Sequence, residues 1–145
     1  FMSDVDIILK LILACAFGGI IGYIREREKK AAGLRTHMLV CMGSALFMLI
    51  SIYMGMHFKF ADSSRIAAGV VTGIGFIGAG AIIQAGGAVR GITTAASIWS
   101  VAAIGLGIGC GFYLGSTVAT IIALVVLQIM HEIELRYISP EKRED

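Results

Sequence analysis

From Ile66 to Met130 the chain reads IAAGVVTGIGFIGAGAIIQAGGAVRGITTAASIWSVAAIGLGIGCGFYLGSTVATIIALVVLQIM, with Arg90 its single charged side chain. No Asp or Glu occurs between Ser63 and Met130. A charged residue at mid-bilayer costs about 2.5–3.5 kcal/mol on insertion scales, so a neutral run of this length is expected where hydrocarbon is the solvent. The reading is an all-α, polytopic membrane helical bundle.

Working outward, windows of about 20 apolar residues fall at Val5–Ile24, Met38–Met56, Ile66–Ile83, Ile92–Ile108 and Phe112–Met130. The last two are separated only by Gly109, Cys110 and Gly111, so the junction is either a tight turn between two spans or a re-entrant turn within one. Charge placement favours five transmembrane helices. With five, Arg25, Arg27, Lys29, Lys30, Arg35, Arg90, Arg136, Lys142 and Arg143 share one side, against Lys10, Lys59 and Arg65 on the other. The positive-inside rule then places the first and third loops and the C-terminus in the cytoplasm and the N-terminus outside. No cleavable signal is expected, because Asp4 and Asp6 stand where a basic n-region would. Phe1 ahead of Met2 reads as an appended residue.

The 145 residues are 57% hydrophobic, with a mean hydropathy of +0.87, which leaves no room for a sizeable domain outside the membrane. The expected organisation is one transmembrane domain over 2–138 and a short cytoplasmic tail over 139–145. A net charge of +2, carried at span boundaries, gives no reason to expect nucleic-acid binding. Cys15, Cys41 and Cys110 are odd in number and lack C-x-x-C spacing, so they read as small packing residues rather than a disulfide framework or thiolate metal site.

Nineteen glycines sit largely in apolar helices, where each costs about 1 kcal/mol of helix propensity. In a bilayer that cost is offset when small residues four apart let helix backbones touch. Gly18 and Gly22, Gly69 and Gly73, Gly105 and Gly109, and Gly111 and Gly115 have that spacing, and Gly75, Gly78 and Gly80 extend the third run. Helix packing is the expectation for all of them, and self-association, most simply a two-fold homodimer through Gly69 and Gly73, follows from it. The alternative for the densest patch, Gly73 to Gly80, is a loosened helix presenting carbonyls to a polar cavity. Gly73, Gly75 and Gly78 also match the dinucleotide fingerprint. The match has no strand before it and no acid until Glu132, so no cofactor is expected.

No nucleophile, base and orienter trio is visible, and catalysis is not expected. His37, His57 and His131 fall at span boundaries and read as solvated or interfacial. Thr93, Ser97 and Ser100 share one face of the fourth span, with Thr94 adjacent and Trp99 off it. They serve either as interhelical hydrogen bonds or as a polar lining facing Arg90. Arg90, flanked by Gly86, Gly87 and Gly91, either anchors a turn among headgroups or acts as a fixed cation. The first loop, Arg25 to His37, reads as a solvated, charge-alternating helical end, a stop at Gly33 and a second helix capped near Thr36. It either attracts anionic lipids or docks another protein.

The stretches Gly33-Leu-Arg-Thr-His37 with Gly43-Ser-Ala45, Arg65-Ile-Ala-Ala68, Gly73-Ile-Gly-Phe-Ile-Gly-Ala-Gly80 and Val89-Arg-Gly-Ile-Thr-Thr-Ala-Ala-Ser-Ile-Trp99 resemble the MgtC/SapB family. The resemblance covers nearly the whole membrane region, in order. It implies a five-span bacterial inner-membrane protein linked to growth in low magnesium and, in pathogens, to virulence through survival in macrophages and restraint of the proton-driven ATP synthase. By matching position it marks Arg25, Arg35, Thr36, Arg65, Arg90, Thr93, Thr94 and Trp99 as functional. Family members often carry Glu where this chain has Ile24, and some add a soluble C-terminal domain, whereas this sequence stops at Asp145. The expected function is a non-enzymatic regulator acting by helix contact with another membrane protein, such as the ATP synthase or a magnesium transporter. The rival is a magnesium or other ion transporter, and whether any metal is bound stays open. Magnesium is normally held by carboxylates and retained water, and the only carboxylate within these spans is Asp6, at the outer edge of the first.

Overall fold

The computed structural model describes residues 3–59, 61–85, 88–130 and 133, and shows five helices: α1 (Asp4–Arg27), α2 (Leu34–His57), α3 (Ser64–Gly80), α4 (Ile92–Gly109) and α5 (Tyr113–Val125). A π-helical turn, Val126–Met130, continues α5. The tail over 139–145, His131 and the glycines flanking Arg90 at 86 and 87 lie outside the described residues.

The first three helices start where a nearby side chain supplies a partner for a free backbone amide. Ser3 caps α1 by accepting the Asp6 N–H at 3.2 Å, and Asp4 and Asp6 complement the positive end of the helix dipole. The start of α2 differs from the expectation at Thr36. Gly33 is the N-cap residue and has no side chain to offer, so Glu26 reaches over from α1 and accepts the Leu34 N–H at 2.9 Å. Before α3, Asp62 Oδ1 accepts the Ser64 N–H at 2.8 Å and the Ser64 hydroxyl at 2.7 Å.

Those two bonds hold the Asp62 carboxyl below the usual carboxylate range. A depressed folded-state pKa means its contribution is present above the ordinary Asp range and lost as pH falls through the lowered value. Asp62→Ala is therefore expected to accelerate amide exchange in the first turn of α3 at neutral pH. If the variant and the wild type exchange equally there, the cap contributes nothing.

The third apolar window ends earlier than Ile83. α3 stops at Gly80, and Ile83–Ala85 pairs antiparallel with Ala88–Arg90, with Ile83 opposite Arg90. Gly91 closes this hairpin at φ +93°, where a side chain would be strained and a Cβ would strike the Ala81 carbonyl. Gly111, at φ +85°, makes the turn into α5.

α4 touches all four other helices. It forms a central trio with α1 and α2, while α3 lies against α4 and α2, and α5 against α4 and α1. The interior is built from small and branched residues, among them Ala14, Ile21, Cys41, Ala45, Val101 and Ile108. Cys15 is half-buried and Cys110 exposed. Large apolar groups face outward, with Phe76 85% and Leu114 78% exposed. Small inside and large outside is the distribution expected when lipid covers the surface and backbone approach holds the bundle. α1, α2 and α4 are long and apolar enough to cross a membrane. α3 has 17 residues, about 25 Å, and α5 with most of its π turn is equally short.

The glycines divide into two groups. A Cβ on Gly18 would strike the His37 carbonyl, one on Gly22 would stand 2.9 Å from Leu34 Cα, one on Gly105 would strike the Cys41 carbonyl, and one on Gly109 would lie 2.7 Å from the Ala45 carbonyl. These four are where α1 and α4 press against α2. By contrast Gly69, Gly73, Gly75 and Gly80 of α3 face open space, and Gly78 is in ordinary contact with Ala95. Two further positions depart from the expected helix packing: Gly111 is a turn residue outside any helix, and Gly115 faces the ring of Phe112 at the start of its own helix.

Candidate functional site

The end of α1 and the starts of α2 and α4 converge on four buried polar side chains. Arg25 is 3% exposed and His37 is 0% exposed; Thr94 and Ser97 are buried with them. The Arg25 guanidinium donates from Nη2 to Thr94 Oγ1 at 2.9 Å and from Nη1 to Glu28 Oε2 at 3.2 Å. Its Nε is buried without an acceptor among the described residues.

His37 Nδ1 donates to the Gly33 carbonyl at 2.8 Å, a role fixed by an acceptor that has no proton to give. Its Nε2 lies 3.0 Å from Ser97 Oγ, and Ser97 Oγ is also 2.8 Å from the Thr94 carbonyl. Ser97 has one hydroxyl proton for these two acceptors. With neutral His37 the hydroxyl proton is shared between the two acceptors, and with imidazolium Nε2 becomes the donor and the Ser97 hydroxyl donates to the Thr94 carbonyl alone. Ser97→Ala removes this relay and leaves Nε2 buried without a partner. The expected loss is about 1–2 kcal/mol of stability, read by denaturation in mixed micelles; an unchanged stability would mean that His37 finds another partner.

This arrangement corrects two expectations, and of the two readings of the α4 hydroxyls it shows interhelical hydrogen bonds at Thr94 and Ser97. His37 is not solvated, because Gly18 and Gly22 let α1 close over it. Arg25 is not part of a solvated helical end. The hydroxyl face of α4 is met by Arg25 rather than Arg90: Thr94 and Ser97 turn inward, Thr93 is exposed, and half-buried Ser100 bonds back to the Ala96 carbonyl at 2.9 Å.

A serine–imidazole pair is present that spacing could not reveal. Its geometry resembles a nucleophile and base, but the space beside Ser97 is about 110 Å³ and bordered mainly by apolar side chains such as Ile21, Ala123 and Leu127. That is room for a few water molecules.

The remaining sequence-marked residues are dispersed. Arg35 and Thr36 line a polar cleft at the α1–α2 turn. Arg65 is exposed at the start of α3, Arg90 is exposed on the hairpin, and half-exposed Trp99 borders an apolar cleft between α4 and α5. Sequence reasoning missed His37 and the cap made by Glu26. A signal for the first was available: His37, Cys41, Ser44 and Ala45 fall at i, i+4, i+7 and i+8, a small and polar face on an otherwise bulky helix.

Among the described residues no group of three His, Cys, Asp or Glu side chains is placed to hold a metal ion. No solved structure matches the chain. "Putative magnesium transporter YhiD" of Escherichia coli (strain K12) is 46% identical over 136 residues, 90% of this chain and 63% of that protein. "Protein SapB" of Bacillus subtilis (strain 168) is 33% identical, covering 98% of this chain and 63% of its own length. "Protein MgtC" of Salmonella typhimurium (strain LT2) is 43% identical over 126 residues, 86% of this chain and 52% of that protein. The chain thus spans less than two thirds of the length of these relatives. Residues 11–136 match the MgtC family, and the chain belongs to that family.

Proposed function

We propose that this chain is the membrane part of a non-enzymatic regulator in the bacterial inner membrane, linked to magnesium homeostasis, that acts by helix contact with another membrane protein. The observation that carries the reading is the split among the glycines. Gly18 and Gly22 of α1 and Gly105 and Gly109 of α4 admit a neighbouring backbone, whereas Gly69, Gly73, Gly75 and Gly80 have open space beside them. Four glycines weaken α3 by about 1 kcal/mol each, and an offset has to come from outside the chain. Gly69 and Gly73 look into a groove beside α2. The outward face of α3 is Ala68, Thr72, Gly75 and Ala79, at i, i+4, i+7 and i+11 and all exposed, a small-residue surface suited to another helix.

The nine-to-three distribution of basic residues supports a cytoplasmic C-terminus and an external N-terminus. The link to magnesium rests on family membership and on the name of the Escherichia coli relative, which also favours the rival reading of ion transport. Against transport stands the lack of any carboxylate between Ser63 and Met130, since magnesium is ordinarily bound through carboxylates and water.

Photo-crosslinkers at Thr72 and Ala79 in native membranes are expected to capture a discrete partner, identified by mass spectrometry. Gly75→Leu should abolish the capture. Saturable magnesium flux in proteoliposomes, lost in Arg90→Ala, together with no discrete crosslink, would overturn the proposal. A self-crosslink alone would replace the foreign partner by a homodimer.

A further inference from the structure

Two clefts meet on α2. One, of about 640 Å³, lies at the α1–α2 turn, and its lining includes Glu26, Lys29, Lys30, Arg35 and Thr36. Lys29, Lys30 and Arg35 are exposed, and Glu26 is already engaged by the Leu34 amide. The cleft therefore brings three cations together against one anion. The other, of about 680 Å³, is an apolar groove between α2 and α3, bordered by Leu39, Gly43 and Phe47 on one side and Gly69, Gly73 and Ile77 on the other.

Leu39, 63% exposed, lines both. Thr36, Leu39, Gly43 and Phe47 follow one face of α2 at steps of three and four residues. Basic groups thus stand on the same face of α2 as the apolar groove, next to its Leu39 end. The missing side chains at Gly43, Gly69 and Gly73 are what keep it open.

The length agrees with one leaflet. From Thr36 to Phe47 the helix rises about 16 Å, close to half of a hydrocarbon core about 30 Å thick. A partner helix would fill the apolar part but would have no use for the cationic end. A soluble phosphate would use the cations but not the groove. We infer that the joined clefts hold one anionic phospholipid of the cytoplasmic leaflet, its phosphate between Lys29, Lys30, Arg35 and the Thr36 hydroxyl and an acyl chain between α2 and α3. The leaflet assignment rests on the proposed orientation; the lipid site itself is independent of any partner protein.

The test uses the full chain in phosphatidylcholine vesicles with spin-labelled phosphatidylglycerol or phosphatidylcholine, reading the motionally restricted lipid fraction. Wild type is expected to restrict phosphatidylglycerol preferentially. K29Q, K30Q and R35Q should each reduce the preference by up to about five-fold, and the triple variant should abolish it. Gly43→Leu with Gly73→Leu, positions with open space for added atoms, should also remove the restricted phosphatidylglycerol while leaving all charges in place. Preference retained in the glycine variant would reduce the effect to diffuse surface attraction and overturn the site. So would preference retained in the triple variant, or displacement of the lipid by inorganic phosphate. Neither crosslinking nor flux enters this readout, so failure of the regulator reading leaves it intact.

Discussion

Gly105→Ala is expected to destabilise the bundle by about 1–3 kcal/mol, whereas Gly73→Ala is expected to stabilise the isolated chain by up to about 1 kcal/mol. The substitution is the same and its sign reverses. At Gly105 the new methyl group would strike the Cys41 carbonyl and stand 3.0 Å from Ser44 Cβ, so α4 and α2 must separate along their whole contact. Carbonyl oxygen cannot rotate aside as a side-chain tip can, and Gly109, one turn on, presses on Ala45 in the same way. At Gly73 the methyl group enters open space, so only the gain in helix propensity is felt. Gly105→Leu should yield no folded protein, while Gly73→Leu should fold. Denaturation in mixed micelles reads both signs; equal effects at the two positions would show that the α2–α4 contact is looser than described.

Arg25→Met is the second large expectation, at about 3 kcal/mol, near the low end for removing one partner of a buried pair. The low end applies because Glu28 is about a fifth exposed and can be rehydrated. What remains is the buried Thr94 hydroxyl without its donor. Arg25→Lys should not rescue the loss, since an ammonium lacks the planar fork that reaches Glu28 and Thr94 together. A double-mutant cycle with Thr94→Val isolates the interhelical bond, with an expected coupling of about 1–2 kcal/mol. A coupling near zero would mean that the guanidinium is held by packing alone. Because this bond joins residues 69 apart in sequence, its loss should also loosen the α1–α2 turn and, through it, the cationic cleft.

How much of this was legible in the sequence depends on whether the signal is local. The acid-free run from Ile66, the short α4–α5 turn at Gly109 to Gly111 and the hydroxyl face of α4 are local, and their consequences can be read residue by residue. The caps were read less well. Gly33 ends the α1–α2 turn as expected, but its missing cap is supplied by Glu26 from the preceding helix, which spacing alone does not announce. The hairpin after α3 was hidden because Ile82 and Ile83 extend the apolar window without extending the helix.

Sequence by itself determined that this polypeptide is helical and surrounded by lipid, because the cost of placing charge in hydrocarbon is additive along the chain and leaves its record in composition. It also marked Arg25, Thr94 and Ser97 without saying that they meet. Only tertiary structure decided that His37 is enclosed, that Arg25 rather than Arg90 faces the α4 hydroxyls, and that identical glycine spacings close a core in α1 and α4 yet lie open in α3. Periodicity tells which residues share a face of a helix; what lies against that face depends on how distant segments pack.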